Sequence, residues 1–95
     1  TVGKKVNQAG RGSEERNVQL QLLNLQQLTD RAAKIVDVPT NHDTVDSLLN
    51  QAGQLAELEN NFQQKINILN IRGLNEYYSG NYEGAVDYFY QLLDL

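Results

Sequence analysis

The side chains in this sequence that could take part in chemistry are few and far apart. His42 is the only histidine, and it lies beside Asp43 in the polar stretch DVPTNHD, with no second histidine to share a metal. A lone histidine in such a stretch is more often a solvated loop residue than a base or a ligand, and we interpret His42 that way. Cysteine is absent, which excludes disulfides, thiolate metal sites and thiol nucleophiles.

The acidic residues do not form a recognisable catalytic pair either. Glu57 and Glu59 are two residues apart, so they point in different directions on a helix and indicate a solvated edge. An enzymatic pocket needs paired titratable groups, and only Lys65, Arg72 and Glu76 could supply them. The sequence contains no nucleophile with a base, no phosphate-binding glycine loop and no metal-ligand spacing. We therefore predict no catalytic, cofactor-binding or metal-binding residue and no enzymatic activity.

Charge and hydropathy exclude two further classes of partner. Residues 1–39 carry six basic and four acidic groups, whereas residues 40–95 carry two basic and eight acidic groups, within a net charge of −4. An acidic main body repels phosphate backbones, so we expect no nucleic-acid partner. No apolar run approaches the ~18 residues of a membrane span, so we expect no membrane insertion. The chain begins at Thr1 and contains no Met, and we interpret it as a piece of a longer protein.

Apolar periodicity predicts an all-α fold of antiparallel helical hairpins. Residues 1–13 have no such periodicity and three glycines, which is typical of a flexible lead-in. The rest, 14–95, is predicted to be one helical domain. Pro39 should end the first helix and Asp43 should cap the second. The four predicted helices cover about 14–36, 44–58, 62–79 and 82–95.

Residues 44–79 allow two interpretations. The sequence Glu59-Asn60-Asn61 is suited to a tight turn, but a stripe of apolar residues from Leu55 to Gly73 keeps helical spacing straight through it. One continuous helix would be roughly 54 Å long at 1.5 Å per residue, which exceeds ordinary globular helices. We favour a break at 59–61. A chain reversal there would favour a helical repeat, and a straight helix would favour a coiled coil.

The last two predicted helices are apolar on more than one side. The third has two apolar faces separated by a charged strip, which is typical of a helix packed between two neighbours. On the fourth, apolar residues cover an arc of about 200°. One neighbouring helix cannot cover so wide an arc, so we expect a further helix or a second chain to pack on it. The residues of this arc are Tyr82, Ala85, Val86, Tyr88, Phe89, Tyr90, Leu92 and Leu93.

The stretch from about 66 to 95 resembles a tetratricopeptide repeat. It contains the sequence NILNIRGLNEYYSGNYEGAVDYFYQLLDL. Gly73 matches the small residue of the family's first helix, and Gly80-Asn81-Tyr82 matches its turn. Ala85 and Phe89 match the A-x-x-x-F pair of its second helix. Glu76 stands where the family has a tyrosine. Similar hairpins also occur in microtubule-interacting-and-transport domains.

The resemblance implies a fragment of an α-α superhelix that binds a peptide or partner domain in a groove lined by the first helix of each repeat. The groove residues that it implies are Asn67, Asn70, Leu74, Tyr77 and Tyr78. Core packing of Leu74 and Tyr78 is the competing interpretation. Ile71 occupies the position of the asparagine in the family's basic carboxylate clamp, so we do not expect an acidic C-terminal tail as the ligand.

We expect Tyr77 and Tyr82 to pack within the helix pair, and Tyr88, Tyr90 and Leu92 to bind a partner at the fourth helix. The predicted function is therefore a protein–protein interaction scaffold that acts without catalysis or cofactor. Its predicted partners are a protein or peptide, further helices of the parent protein, or a second copy. The alternative is a coiled-coil or helical-bundle segment for oligomerisation or signal relay in a sensor protein.

Overall fold

A computed structural model describes residues 20–95, and within this range the chain is helical and contains no strand. The predicted all-α fold class is thereby confirmed. We name the helix over 20–35 α1, followed by α2 (His42–Leu58), α3 (Phe62–Tyr78) and α4 (Tyr82–Leu93). The predicted lead-in, 1–13, and the predicted start of the first helix, 14–19, lie outside the described residues.

The connection between α1 and α2 differs from the sequence-based expectation. Pro39–Asn41 form one turn of 3-10 helix that continues directly into α2, so α2 starts at His42 rather than at 44. The expectation that Asp43 caps this helix was wrong, because no side chain caps it and Asp43 lies in its first turn. Proline fixes a φ angle suited to the start of a helical turn. The carbonyl of Pro39 accepts a hydrogen bond from the amide of His42, so a backbone group of the 3-10 turn acts where a side-chain cap would otherwise be needed.

The chain reverses between α2 and α3. Asn60 adopts a positive φ of 48°, and the amide of Asn61 donates to the carbonyl of Ala56 at 2.9 Å, which closes the end of α2. The side chain of Asn61 then accepts a hydrogen bond from the amide of Gln64 at 3.1 Å and caps α3. Residues 44–79 are therefore two helices.

The turn between α3 and α4 repeats this construction. Gly80 has a φ of 90°, which glycine adopts without a steric penalty, and Asn81 donates its amide to the carbonyl of Glu76 at 2.8 Å. The Asn81 side chain accepts from the amide of Gly84 at 3.1 Å and caps α4. Each turn therefore ends one helix and starts the next within three residues, so the chain reverses direction between consecutive helices.

Side-chain contacts show the direction of the helices. From α2 to α3, Glu57 pairs with Lys65 at 3.4 Å, whereas Asp46 pairs with Arg72 at 3.1 Å, so the two helices run in opposite directions. By contrast, α1 and α3 run side by side in the same direction. At one end of this pair, Gln64 donates to Gln26 at 2.7 Å, and further along both helices Thr29, Ala33, Asn67 and Asn70 face one groove.

The hydrophobic core lies between α1, α2 and α3. Leu25, Val45 and Leu49 are its largest fully buried side chains, and Ala52 and Ala56 let α2 approach its neighbours closely. Ile68 and Ile71 complete the core from α3. Helix α4 packs on α3 through Ala85, its only buried residue, and through Phe89, whose ring lies against Gly73.

Candidate protein-interaction surfaces

The first candidate surface is the groove between the two parallel helices, which we call the α1–α3 groove. Its lining side chains are Thr29, Asp30, Ala33, Asn67, Asn70 and Ile71. Two of the predicted partner-binding residues, Asn67 and Asn70, are thus brought together on its wall. They face it because residues three or four apart on a helix share one side.

Amide groups give the α1–α3 groove its polar character. Asn67 accepts from Gln63 at 3.5 Å and donates to Gln64 at 3.4 Å, and these long bonds leave the Asn67 amide free to exchange partners. Asn70 is exposed. The Thr29 hydroxyl is directed back to its own helix, where it donates to the carbonyl of Gln26 at 3.1 Å. The groove lining contains one carboxylate, Asp30, and no Lys or Arg.

The three remaining groove candidates lie elsewhere along α3. Leu74 is half-buried and packs against the core, so it offers little free surface. Tyr78 is exposed and lies eleven residues after Asn67, which is about three helical turns and therefore the same face. Tyr77 is exposed near the α3–α4 turn.

Tyr77, Tyr78 and Tyr82 form an aromatic cluster at the α3–α4 turn. The ring of Tyr77 meets each of the other two rings edge-on, with centroids 5.5 Å apart in both cases. We expected Tyr77 and Tyr82 to pack within the helix pair. They do touch across it, but both rings remain more than half exposed because the short turn holds them at the end of the hairpin.

The second candidate surface is the outer side of α4. The apolar arc of this helix divides into two halves. Tyr88 and Leu92, two predicted partner-binding residues, are half-buried on the side of Ala85 and Phe89. The other half forms a row with helical spacing that we call the α4 stripe. The exposed fractions of its residues are 62% for Tyr82, 48% for Val86, 63% for Tyr90 and 79% for Leu93.

An acidic row borders the α4 stripe. Glu83, Asp87 and Asp94 fall next to Tyr90 on a helix of 3.6 residues per turn, on the side away from the half that packs on α3. No Lys or Arg within residues 20–95 forms an ion pair with them. Lys65 and Arg72, the two cations of α3, are both directed to carboxylates of α2. The surface beside the α4 stripe is therefore strongly negative.

A polar cluster, which we call the hairpin junction, joins the start of α2 to the α3–α4 turn. His42 Nε2 lies 3.1 Å from Glu76 Oε1, and Asn81 Nδ2 donates to Glu76 Oε2 at 2.7 Å. Asn75, which is buried, donates to the backbone carbonyl of His42 at 3.2 Å. The hydrogen bond to Glu76 raises the pKa of His42 above its ordinary value, partial burial opposes this shift, and Asp43 adds to it.

The hairpin junction was missed by the sequence analysis. The interpretation of His42 as a solvated loop residue was wrong, because it is the first residue of α2 and is half-buried. Glu76 pairs with it across 34 residues, whereas Arg72 contacts Asp46 and Asn50 on α2. The one available signal was Glu76 itself, a carboxylate at a position where the resembled family has a tyrosine.

The described residues contain neither a cluster of metal ligands nor a membrane-spanning helix. Across residues 20–95, no three His, Asp or Glu side chains converge to hold a metal ion. In the same part of the chain, none of the helices combines the length and the hydropathy that crossing a bilayer requires. Every buried side-chain nitrogen or oxygen in the described range has a hydrogen-bond partner.

Comparison of the chain with protein-family models, with curated proteins and with solved structures finds no match.

Proposed function

We propose that this chain is a protein–protein interaction scaffold, a tetratricopeptide-like module of a larger protein that binds a peptide or partner helix without catalysis. The observation that carries this proposal is the α1–α3 groove. Two parallel helices expose neighbouring amide side chains, Asn67 and Asn70, on one wall and Ala33 on the other. Amide side chains on such a wall can both donate to and accept from the backbone of a bound segment.

Packing at the repeat-like positions supports the same proposal. Gly73 lies against the ring of Phe89, and a Cβ added at Gly73 would be only 2.5 Å from Phe89 Cε1. Ala85 is buried between α3 and α4. These are the residues on which the resemblance to tetratricopeptide repeats rests. Gly73 and Ala85 are small where the two helices pack closely, and the ring of Phe89 occupies the space that the missing side chain of Gly73 leaves.

The lining of the α1–α3 groove favours a neutral or basic segment as the ligand. It offers amide donors and acceptors, the carboxylate of Asp30 and the exposed methyl group of Ala33. Since it contains no cation, an acidic tail would lose its hydration without gaining an ion pair. Tyr78, further along the same face, offers an aromatic ring with a polar tip, a combination enriched at interfaces.

The alternative function is a bundle that serves in oligomerisation or signal relay. The reversal at Asn60 disfavours a continuous coiled-coil rod through residues 44–79. The exposed α4 stripe is the observation that favours this alternative, because a helix of another chain packed there would bury it.

A peptide-selection experiment tests the proposed groove. We would select 12-residue peptides from a random phage-displayed library against the full chain, and measure the affinity of enriched peptides by fluorescence anisotropy. Because two hydrogen bonds are lost, N67A/N70A should weaken binding about tenfold. The matched control is N24A/Q51A, which removes two exposed amides at the α1–α2 edge and should leave affinity unchanged. Failure to enrich any peptide, or equal losses in both double variants, would refute the proposal.

A further inference from the structure

The α4 stripe is an apolar surface that the proposed groove does not use. It lies on a different helix from the groove walls, and its four residues are between about half and four-fifths exposed. Each tyrosine side chain has roughly 150–250 Å² of surface. Tyr82 and Tyr90 together therefore present on the order of 250 Å² of accessible surface to solvent. With Val86 and Leu93, the stripe reaches the size of patches that are often functional.

We propose that the α4 stripe docks an amphipathic helix of another protein, and that this helix carries Lys or Arg along one flank. The apolar part of the argument is geometric. Tyr82, Val86, Tyr90 and Leu93 follow one another at spacings of four, four and three residues, so they form a straight seam along α4. Such a seam matches one face of a partner helix with the same periodicity.

Charge complementarity defines the flank of the partner. The acidic row formed by Glu83, Asp87 and Asp94 runs beside the seam and has no ion-pair partner in the described part of the chain. A docked helix with Lys or Arg on that flank would pair with each carboxylate in turn. A neutral or acidic flank would leave the row uncompensated next to an apolar contact.

The same row argues against a second copy as the occupant. If two copies packed α4 against α4 in antiparallel orientation about a twofold axis, the acidic rows would fall on the same side of the interface and repel each other. In addition, the stripe offers only a few hundred Å² of apolar surface, whereas a stable interface buries about 800 Å² per partner. A single helix held by a small apolar seam and a row of ion pairs fits both constraints, with transient affinity.

Designed peptides provide the probe for this proposal. Two 18-residue helical peptides would share one apolar face and differ only in a flank of lysines or of glutamates. We expect the lysine-flank peptide to bind the full chain about tenfold more tightly at low salt, with a preference that declines as salt rises. In D87K/D94K the preference should reverse. Lysine is favourable towards the C-terminal end of a helix, so this variant should fold, which a circular dichroism melt would verify.

The apolar part is tested with matched substitutions. L93S removes a leucine that is 79% exposed from the stripe, and L58S removes a similarly exposed leucine, at 74%, from the end of α2. Only L93S should weaken binding of the lysine-flank peptide, by about fivefold.

Three results would overturn the docking proposal. One is equal binding of the two peptides, or binding of neither. Another is an unchanged preference in D87K/D94K or an unchanged affinity in L93S. The third is a stable dimer in analytical ultracentrifugation that L93S converts to monomer, since a second copy would then be the occupant. The groove variants N67A/N70A do not alter the stripe, so the two proposals can fail separately.

Discussion

Glu76 is the residue that ties the two helical hairpins together. Its two carboxylate oxygens bind His42 from the first hairpin and Asn81 from the second, at 3.1 Å and 2.7 Å. Because a carboxylate has two acceptor oxygens, it can take part in both contacts at once. The pairing therefore fixes the start of α2 against the α3–α4 turn.

The raised pKa of His42 gives this contact a pH dependence. Because the folded-state pKa lies above the unfolded value of about 6.5, the stabilisation is complete below pH 6.5 and is lost as pH rises through the folded pKa. A third of the side chain is exposed, so we expect an effect of only ~0.5 kcal/mol. In thermal melts at pH 6 and pH 8, the difference between wild type and H42Q should be larger at pH 6.

Two substitutions distinguish the contributions of Glu76 and Asp43 to the pH dependence of stability. E76Q should remove most of the pH-dependent difference, since the dominant partner loses its charge. D43N should leave most of it, because the Asp43 side chain is fully exposed and its contact to His42 Nδ1 is longer, at 3.3 Å. A pH dependence carried equally by both carboxylates would contradict the assignment to Glu76.

At the scale of the elements, the approach of α3 to α4 depends on one glycine. Alanine at an open helical position is usually more stable than glycine by ~1 kcal/mol, but at Gly73 the added Cβ would meet the Phe89 ring. We therefore expect G73A to destabilise the fold by ~1–2 kcal/mol in urea denaturation. G53A, at a helical glycine where the added Cβ would point into open space, should stabilise it by ~0.5–1 kcal/mol.

Combining G73A with F89A identifies the cause of the G73A effect. Because F89A removes the ring that the added Cβ would meet, G73A should be neutral or stabilising when it is introduced into F89A. If G73A destabilised both backgrounds equally, the loss would come from something other than the contact between α3 and α4.

Burial is unevenly distributed over the whole molecule. Helix α2 contributes five buried residues, whereas α4 contributes only Ala85. Local opening costs less free energy where fewer apolar contacts are lost. In native-state hydrogen exchange we expect the amides of α4 to exchange through local unfolding, and those of α2 only through global unfolding. Uniform protection across both helices would contradict this order.

The local features of the chain were predictable from its sequence. Apolar spacing at intervals of three and four residues puts Val45, Leu49 and Ala52 on one face of α2, and all three are buried. The reversal at Asn60 and the turn at Gly80 follow from residues that tolerate positive φ and are followed directly by a helix cap. These properties depend on neighbours in the sequence, so periodicity and turn chemistry are sufficient to find them.

Contacts between distant residues were decided only by the tertiary structure. Sequence spacing indicated an apolar arc on α4, but the contacts of Ala85 and Phe89 with α3 determine that Tyr88 and Leu92 turn inwards while Val86 and Leu93 remain exposed. The pairing of His42 with Glu76 spans 34 residues and has no local signature. Both depend on how helices pack against each other, and many packings share one pattern of apolar residues.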